Sequence, residues 1–183
     1  MPFNDRQLEQ LFKEINPSRV AERKGMAYLE TWDVLAHLNR IFGFEGWDKE
    51  VRECSLIYED KHEKGGWNVA YRACVRLTIH DFRTGDPVKV SEDVATGQAQ
   101  NQPSRGDAHD LAIKSAVSDA LKRAAKDLGN QFGLSLYDKG STRSVVGKSL
   151  AYPEADTLPP PVSDDVIREQ VAAIRDRQLG EAQ

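Results

Sequence analysis

The sequence predicts an α+β domain in which an antiparallel β-meander packs on one long, basic α-helix. Three observations carry that expectation. Polar and apolar residues alternate almost without fault from Trp67 to Ile79, apolar residues recur at helical spacing from about Asp110 to Leu128, and the connectors KHEKGG and RTGDP separate strand-forming runs as hairpin turns do.

The elements follow in chain order. Asp5 to Ile15 places Leu8, Leu11, Phe12 and Ile15 at helical spacing behind Asp5 as cap, and Pro17 stops the helix. In a second helix Thr31 can serve as cap, Val34, Leu35, Leu38, Ile41 and Phe42 form the apolar stripe, and Gly43 ends it. Trp47 to Tyr58 is rich in strand formers. In the next strand Trp67, Val69, Tyr71, Ala73, Val75, Leu77 and Ile79 share the face expected to be buried, with Arg72 and Arg76 on the other. Val88, Val90 and Val94 fit a third strand. Residues 96–109, TGQAQNQPSRGDAH, read as a polar loop before the long helix, and Gly129 and Asn130 stop that helix. Past Tyr137 periodicity fades, LPPPVSDD at 158–165 reads as an extended linker, and Val166 to Leu179 has the pattern of a short terminal helix suited to docking a partner. The expected organisation is one domain over residues 1–150 and an acidic, proline-containing tail over 151–183.

Composition narrows the class. A chain of 183 residues with 39% hydrophobic and 30% charged residues is globular and long enough for one ordinary core. No apolar run approaches a membrane span and the first residues lack signal-peptide character, so a cytoplasmic protein without membrane association is expected. Residues 151–183 hold 3 basic and 7 acidic residues, which accounts for the whole net charge of -4. The body is neutral and free to concentrate positive charge in one place.

Several chemistries are not specified. Cys54 and Cys74 are too few for a disulfide framework or a paired-cysteine zinc site. His37, His62, His80 and His109 stand apart from metal-ligand spacing, and the carboxylates outline no nuclease centre. GKS at 147–149 resembles the end of a phosphate-binding loop, but the first glycine would fall at position 142, which is threonine. No metal, cofactor or enzymatic activity is expected, and a nuclease or ATPase is the weaker class.

The long helix carries the stronger signal. At about 100° per residue, Ile113, Val117, Ala120, Leu121, Ala124 and Leu128 form its packing face, Lys126 lies opposite with Lys122 and Arg123 on either side, and Lys114 borders the apolar arc. Such a stripe suits phosphates along a strand, gripped without base readout. By charge alone it equally suits a solvated helix face whose cations complement the macrodipole. Arg72, Arg76 and the loop residue Arg105 would extend a groove between sheet and helix, or else the two strand arginines pair with carboxylates such as Glu53 and Glu92. Tyr28, Trp32, Trp47 and Trp67 are candidates for base stacking, with core packing the commoner use of such residues.

The segments YLETWDVLAHLNRIFGFEGW at 28–47, VAYRACVRL at 69–77 and KSAVSDALKRAAKDLGNQFG at 114–133, followed by LYDK, together resemble the DNA-binding domain of the Rad52 family of recombination mediators and single-strand annealing proteins. The resemblance spans roughly residues 15–139. It implies a β-meander on a helix, subunits assembled into a ring, and single-stranded DNA held in a basic groove and annealed without ATP during homologous recombination and repair. It places Lys122, Arg123 and Arg19 among the phosphate contacts and puts Lys126 where the family often has arginine. Lys114 and Arg105 match basic positions near the groove or a second, outer DNA site. The loop at 97–104 has no lysine where vertebrate members are basic, and the short acidic tail resembles a bacterial or bacteriophage member. Partners implied are single-stranded DNA, further copies of the chain, and a single-strand-binding protein or recombinase through the tail. A mediator that mainly loads a recombinase is the alternative reading.

Overall fold

In the computed structural model, which describes residues 3–149 and 151, alternation is strongest in the central strand and the sheet is built around it. The chain divides into units at 1–147 and 148–183, and every helix and strand among the described residues belongs to the first. The expected linker at 158–165 and helix Val166–Leu179 lie outside the described residues.

Helix α1 (Asp5–Phe12) leads into a 3-10 turn (Pro17–Arg19), a small hairpin of β1 (Val20–Arg23) and β2 (Met26–Leu29), and helix α2 (Thr31–Phe42). A meander of β3 (Trp47–Lys61), β4 (Trp67–His80) and β5 (Pro87–Gln102) follows, then helix α3 (Arg105–Lys126) and two 3-10 turns, Asn130–Phe132 and Ser135–Tyr137. The sheet order is β3-β4-β5, antiparallel throughout. This is the α+β meander-on-helix architecture the sequence predicts.

On β4, Val69, Ala73, Val75, Leu77 and Ile79 are fully buried on the face that meets α3. The helix lies over β4 and β5 and scarcely touches β3. It comes close because the contact is made of small residues. Ala108, Ala112, Ala116, Ala120 and Ala124 form a fully buried column at four-residue spacing, and Gly97 of β5 sits against it. A β-carbon at Gly97 would stand 2.2 Å from the Ala112 carbonyl oxygen and 2.3 Å from the Ala116 nitrogen, closer than non-bonded atoms approach. Leu121, Ala125 and Leu128 then join Val34, Leu38, Ile41 and Phe42 of α2 in the main core.

Several expectations are corrected. Residues 96–102 are not loop but the second half of β5, and α3 starts at Arg105 rather than Asp110. The inward positions there are Ala95, Gly97 and Ala99, too small to register as an apolar alternation, yet small is what a closely packed helix requires. The packing face of α3 is accordingly centred on the alanine column, with Ile113 and Val117 only partly buried at its flank. Asn4, not Asp5, caps α1 through a reciprocal capping box with Gln7, and the helix ends at Phe12 rather than Ile15. Thr31 is the first residue of α2, and the N-cap, Glu30, makes no side-chain cap bond. The β1–β2 hairpin, turned by Lys24 and Gly25 at positive φ, has strands too short for periodicity to reveal.

Both outer strands of the meander are long and leave one edge unpaired among the described residues. β3 carries bulges at Arg52 and Ile57, and β5 has register shifts at Val88 and near Asn101, whose φ is 50°. No described helix is long and apolar enough to cross a membrane.

Candidate nucleic-acid interface

The last two turns of α3 bring Lys122, Arg123 and Lys126 together, as predicted, but in a different setting from the open stripe expected. Lys122 and Lys126 are only 23% and 22% exposed, whereas Arg123 is 47% exposed. The expectation failed because it counted only the α3 wheel, while neighbouring elements fold around the lysines. Lys122 Nζ lies 5.4 Å from the centre of the Tyr28 ring on β2, and Lys126 Nζ lies 4.7 Å from that of Tyr137. Tyr28 donates its hydroxyl proton to Glu30 at 3.0 Å, and that bond pushes the phenol pKa up and keeps the ring neutral.

Two carboxylates face the three cations. Asp119 Oδ1 lies 2.8 Å from Lys122 Nζ. On β5, Asp93 accepts from Arg123 Nε at 3.0 Å, and its other oxygen is 3.9 Å from Lys126 Nζ. The Asp93 bond raises the already high pKa of Arg123, so this guanidinium stays charged. The site is a partly neutralised cation cluster backed by two phenol rings. An incoming anion would compete with Asp119, 44% exposed, where an ion pair is weak, and with the less exposed Asp93, at 22%.

The elements around the cluster are pinned by buried amides. Asn130, fully buried, directs its Nδ2 at the carbonyl oxygens of Phe12 and Val146 and at Ser144 Oγ, and its Oδ1 accepts from the backbone of Val145 and Val146. Gln131 Nε2 donates to the carbonyls of Lys13 and Glu14 at 2.9 and 2.7 Å. Leaving α3 through this clamp, the chain reaches the turn at Ser135–Tyr137 that lays Tyr137 beside Lys126.

Arg19 belongs to that clamp rather than to the cation cluster. Only 11% exposed, it makes a bidentate pair with Asp33, itself 5% exposed, and donates to Gln131 Oε1 at 2.7 Å and to the Gln131 carbonyl at 2.9 Å. Its guanidinium thus joins the Pro17–Arg19 turn, α2 and the Asn130–Phe132 turn, just before the hairpin that carries Tyr28. His37, one turn along α2, donates from Nδ1 to the Asp33 carbonyl at 3.1 Å. Burial, and then the Arg19 charge, push the His37 pKa down.

The other predicted cations are elsewhere. Arg72 and Arg76 lie on the sheet face away from α3, paired with Glu53 at 2.6 Å and with Glu92. The groove drawn between them and the helix does not form, because alternation turns them to the side the helix does not cover. The Arg72 bond holds the Glu53 carboxyl below its ordinary range. Lys114 is exposed and pairs with Asp110 at 2.6 Å. Arg105, at the opposite end of α3 and about 25 Å along the axis from Lys122, bonds Glu59 at 2.8 Å and lies 5.5 Å from the Trp67 ring centre, with Lys61 at 3.8 Å from the same ring. Glu59 also meets His109, which bonds the Tyr71 hydroxyl, and the Arg105 bond chiefly lowers the Glu59 pKa. Trp47 bonds Asn39 and is partly buried, whereas Trp32 is exposed.

Sequence reasoning misses Asp93 and Tyr137. A charged residue in register with Ser91, Ala95 and Gly97 on the inward face of β5 is the signal that could mark Asp93. Tyr137 has none. Among the described residues no cluster of three or more side chains could hold a metal ion.

Comparison with known proteins matches this chain closely. A family model described as Rad52/22 family double-strand break repair protein covers residues 5–155. The DNA repair and recombination protein RAD52 of Eremothecium gossypii is 36% identical over 153 residues, 80% of this chain and 33% of that protein. RAD52 of Saccharomyces cerevisiae is 35% identical over 134 residues, covering 70% of this chain and 27% of that protein. The DNA repair and recombination protein rad22 of Schizosaccharomyces pombe is 31% identical over 141 residues, 74% of this chain and 29% of that protein. This chain therefore spans about a third or less of these relatives. On the strength of the match over residues 5–155 and of these identities, the chain belongs to the Rad52/22 family of double-strand break repair proteins.

Proposed function

We propose that this domain binds single-stranded DNA through its phosphates at Lys122, Arg123 and Lys126 and anneals complementary strands, without ATP, in recombination and repair. The observation that carries the reading is the convergence of those three cations on two turns of one rigid helix. A cluster of this kind neutralises phosphates whatever the base sequence, so pairing supplies the specificity. Lowering the charge and conformational freedom of one strand favours its capture by a complement. The relatives' printed names, DNA repair and recombination proteins, support the same direction.

The domain acts as a homo-oligomeric ring in this reading, and the two unpaired edges of β3 and β5 support self-association, since such edges are templates for pairing. The test is annealing of two complementary oligonucleotides by the full chain without nucleotide, with particle imaging of the same sample. Accelerated annealing by closed rings is the expected result. No acceleration over spontaneous pairing would defeat the proposal.

A further inference from the structure

We propose that Asp93 is a positioning residue of the cation cluster, aiming Arg123 at the bound strand. The proposal rests on the strand-binding reading above. Asp93 stands on β5 opposite Val75, on the face that carries α3. Its Oδ1 accepts from the backbone N–H of Val94 at 2.7 Å and from Arg123 Nε at 3.0 Å. The first bond fixes the carboxylate to a rigid strand. The second engages Nε alone, and no described residue accepts from the two terminal nitrogens of Arg123. A guanidinium held by Nε presents its terminal pair as a fork, the geometry that engages two phosphate oxygens at once.

A carboxylate beside the site has two opposite consequences. As an anion it repels phosphate and competes for the cation. As an acceptor anchored to the sheet it restricts a side chain that otherwise loses conformational freedom on binding. The anchoring by Val94 favours the second effect, because the carboxylate is not a loose surface group that merely condenses on the nearest cation. Lys126 stands 3.9 Å from the other oxygen, beyond hydrogen-bond reach, and is held over Tyr137, so it is Arg123 that Asp93 places.

The two effects predict opposite signs. Binding of an oligo-thymidine strand to the full chain is measured by fluorescence anisotropy, alongside thermal melting. Asp93→Ala, although it removes a negative charge, is expected to bind about tenfold more weakly. Asp93→Asn keeps an oxygen for both bonds and is expected to recover binding to within about threefold of the parent. In an Arg123→Ala background, Asp93→Ala should cause no further loss, a result that a merely structural role does not produce. Should Asp93→Ala fail to fold, Asp93→Glu serves, since it keeps the charge, moves the carboxylate and is expected to weaken binding. The proposal is overturned if Asp93→Ala or Asp93→Glu binds as tightly as the parent or tighter, or if the loss persists without Arg123. If the parent does not bind, the strand-binding reading itself fails; if Arg123→Ala binds as well as the parent, Arg123 leaves the interface and the role of Asp93 fails with it. If Arg123→Ala weakens binding and the Asp93 variants do not, only the role of Asp93 fails.

Discussion

The Lys126 ammonium lies over the Tyr137 ring, 4.7 Å from its centre, so an exposed aromatic outside α3 holds a cation of α3 in place. At an exposed site such a contact contributes about 0.5–1 kcal/mol. Tyr137→Ala should therefore weaken single-strand binding by roughly two- to fivefold, and Tyr137→Phe, which keeps the ring, should not. The titration is of a labelled oligonucleotide at fixed salt, and equal losses in both variants would count against the ring contact.

Lys122 and Arg123 are predicted to act on phosphate rather than on bases. Lys122→Ala or Arg123→Ala should reduce affinity to a similar extent for strands of different sequence, and each should flatten the dependence of log affinity on log salt by about 0.7. The check is a salt series on two oligonucleotides of contrasting composition. A folded variant with an unchanged slope would remove that residue from the interface.

How far these features are legible in the sequence depends on the size and reach of the residues involved. β4 is legible because Val69, Val75, Leu77 and Ile79 are large and alternate. The second half of β5 is not, because its inward residues are Ala95, Gly97 and Ala99, whose role appears only when the alanine column of α3 lies against them. The grouping of Lys122, Arg123 and Lys126 follows from helical geometry, which is local. What each cation touches is tertiary: Arg123 meets Asp93 from 30 residues away, and Arg19 meets Gln131 from 112 residues away. No periodicity within one element encodes such pairs, so the extent of lysine burial and the inward turn of Arg19 emerge only with the fold.

His37 makes stability depend on pH with a definite sign. Its folded pKa lies below the ordinary 6.5 because of burial first and the Arg19 charge second, with Arg40 adding to the repulsion and Asp33 opposing it. The unfolded chain therefore takes up a proton before the folded one does. The contribution is fully present above pH 6.5 and is lost as pH falls through the folded value. His37→Asn can keep a donor for the Asp33 carbonyl without a titrating ring, and it should flatten the stability profile below about pH 6.5. Urea unfolding at several pH values measures the slope, and the same slope in the variant would dismiss His37 as its source.

Arg19 separates two roles that the sequence alone leaves joined. The family resemblance places it among the phosphate contacts, while the structure engages its guanidinium with Asp33 and Gln131. Removing one partner of a buried pair strands the other charge, at a cost of about 3–5 kcal/mol. Arg19→Ala should accordingly lower the melting temperature and denaturant midpoint strongly. Arg19→Lys should rescue little, because an ammonium cannot reproduce the fork that bonds both Asp33 oxygens and Gln131. Below its lowered melting temperature, the folded fraction of Arg19→Ala should retain a near-parental salt slope for single strands, since the cations proposed to meet phosphate are on α3. A variant of parental stability with a reduced slope would instead return Arg19 to the phosphate contacts and require its network with Asp33 to open when DNA binds.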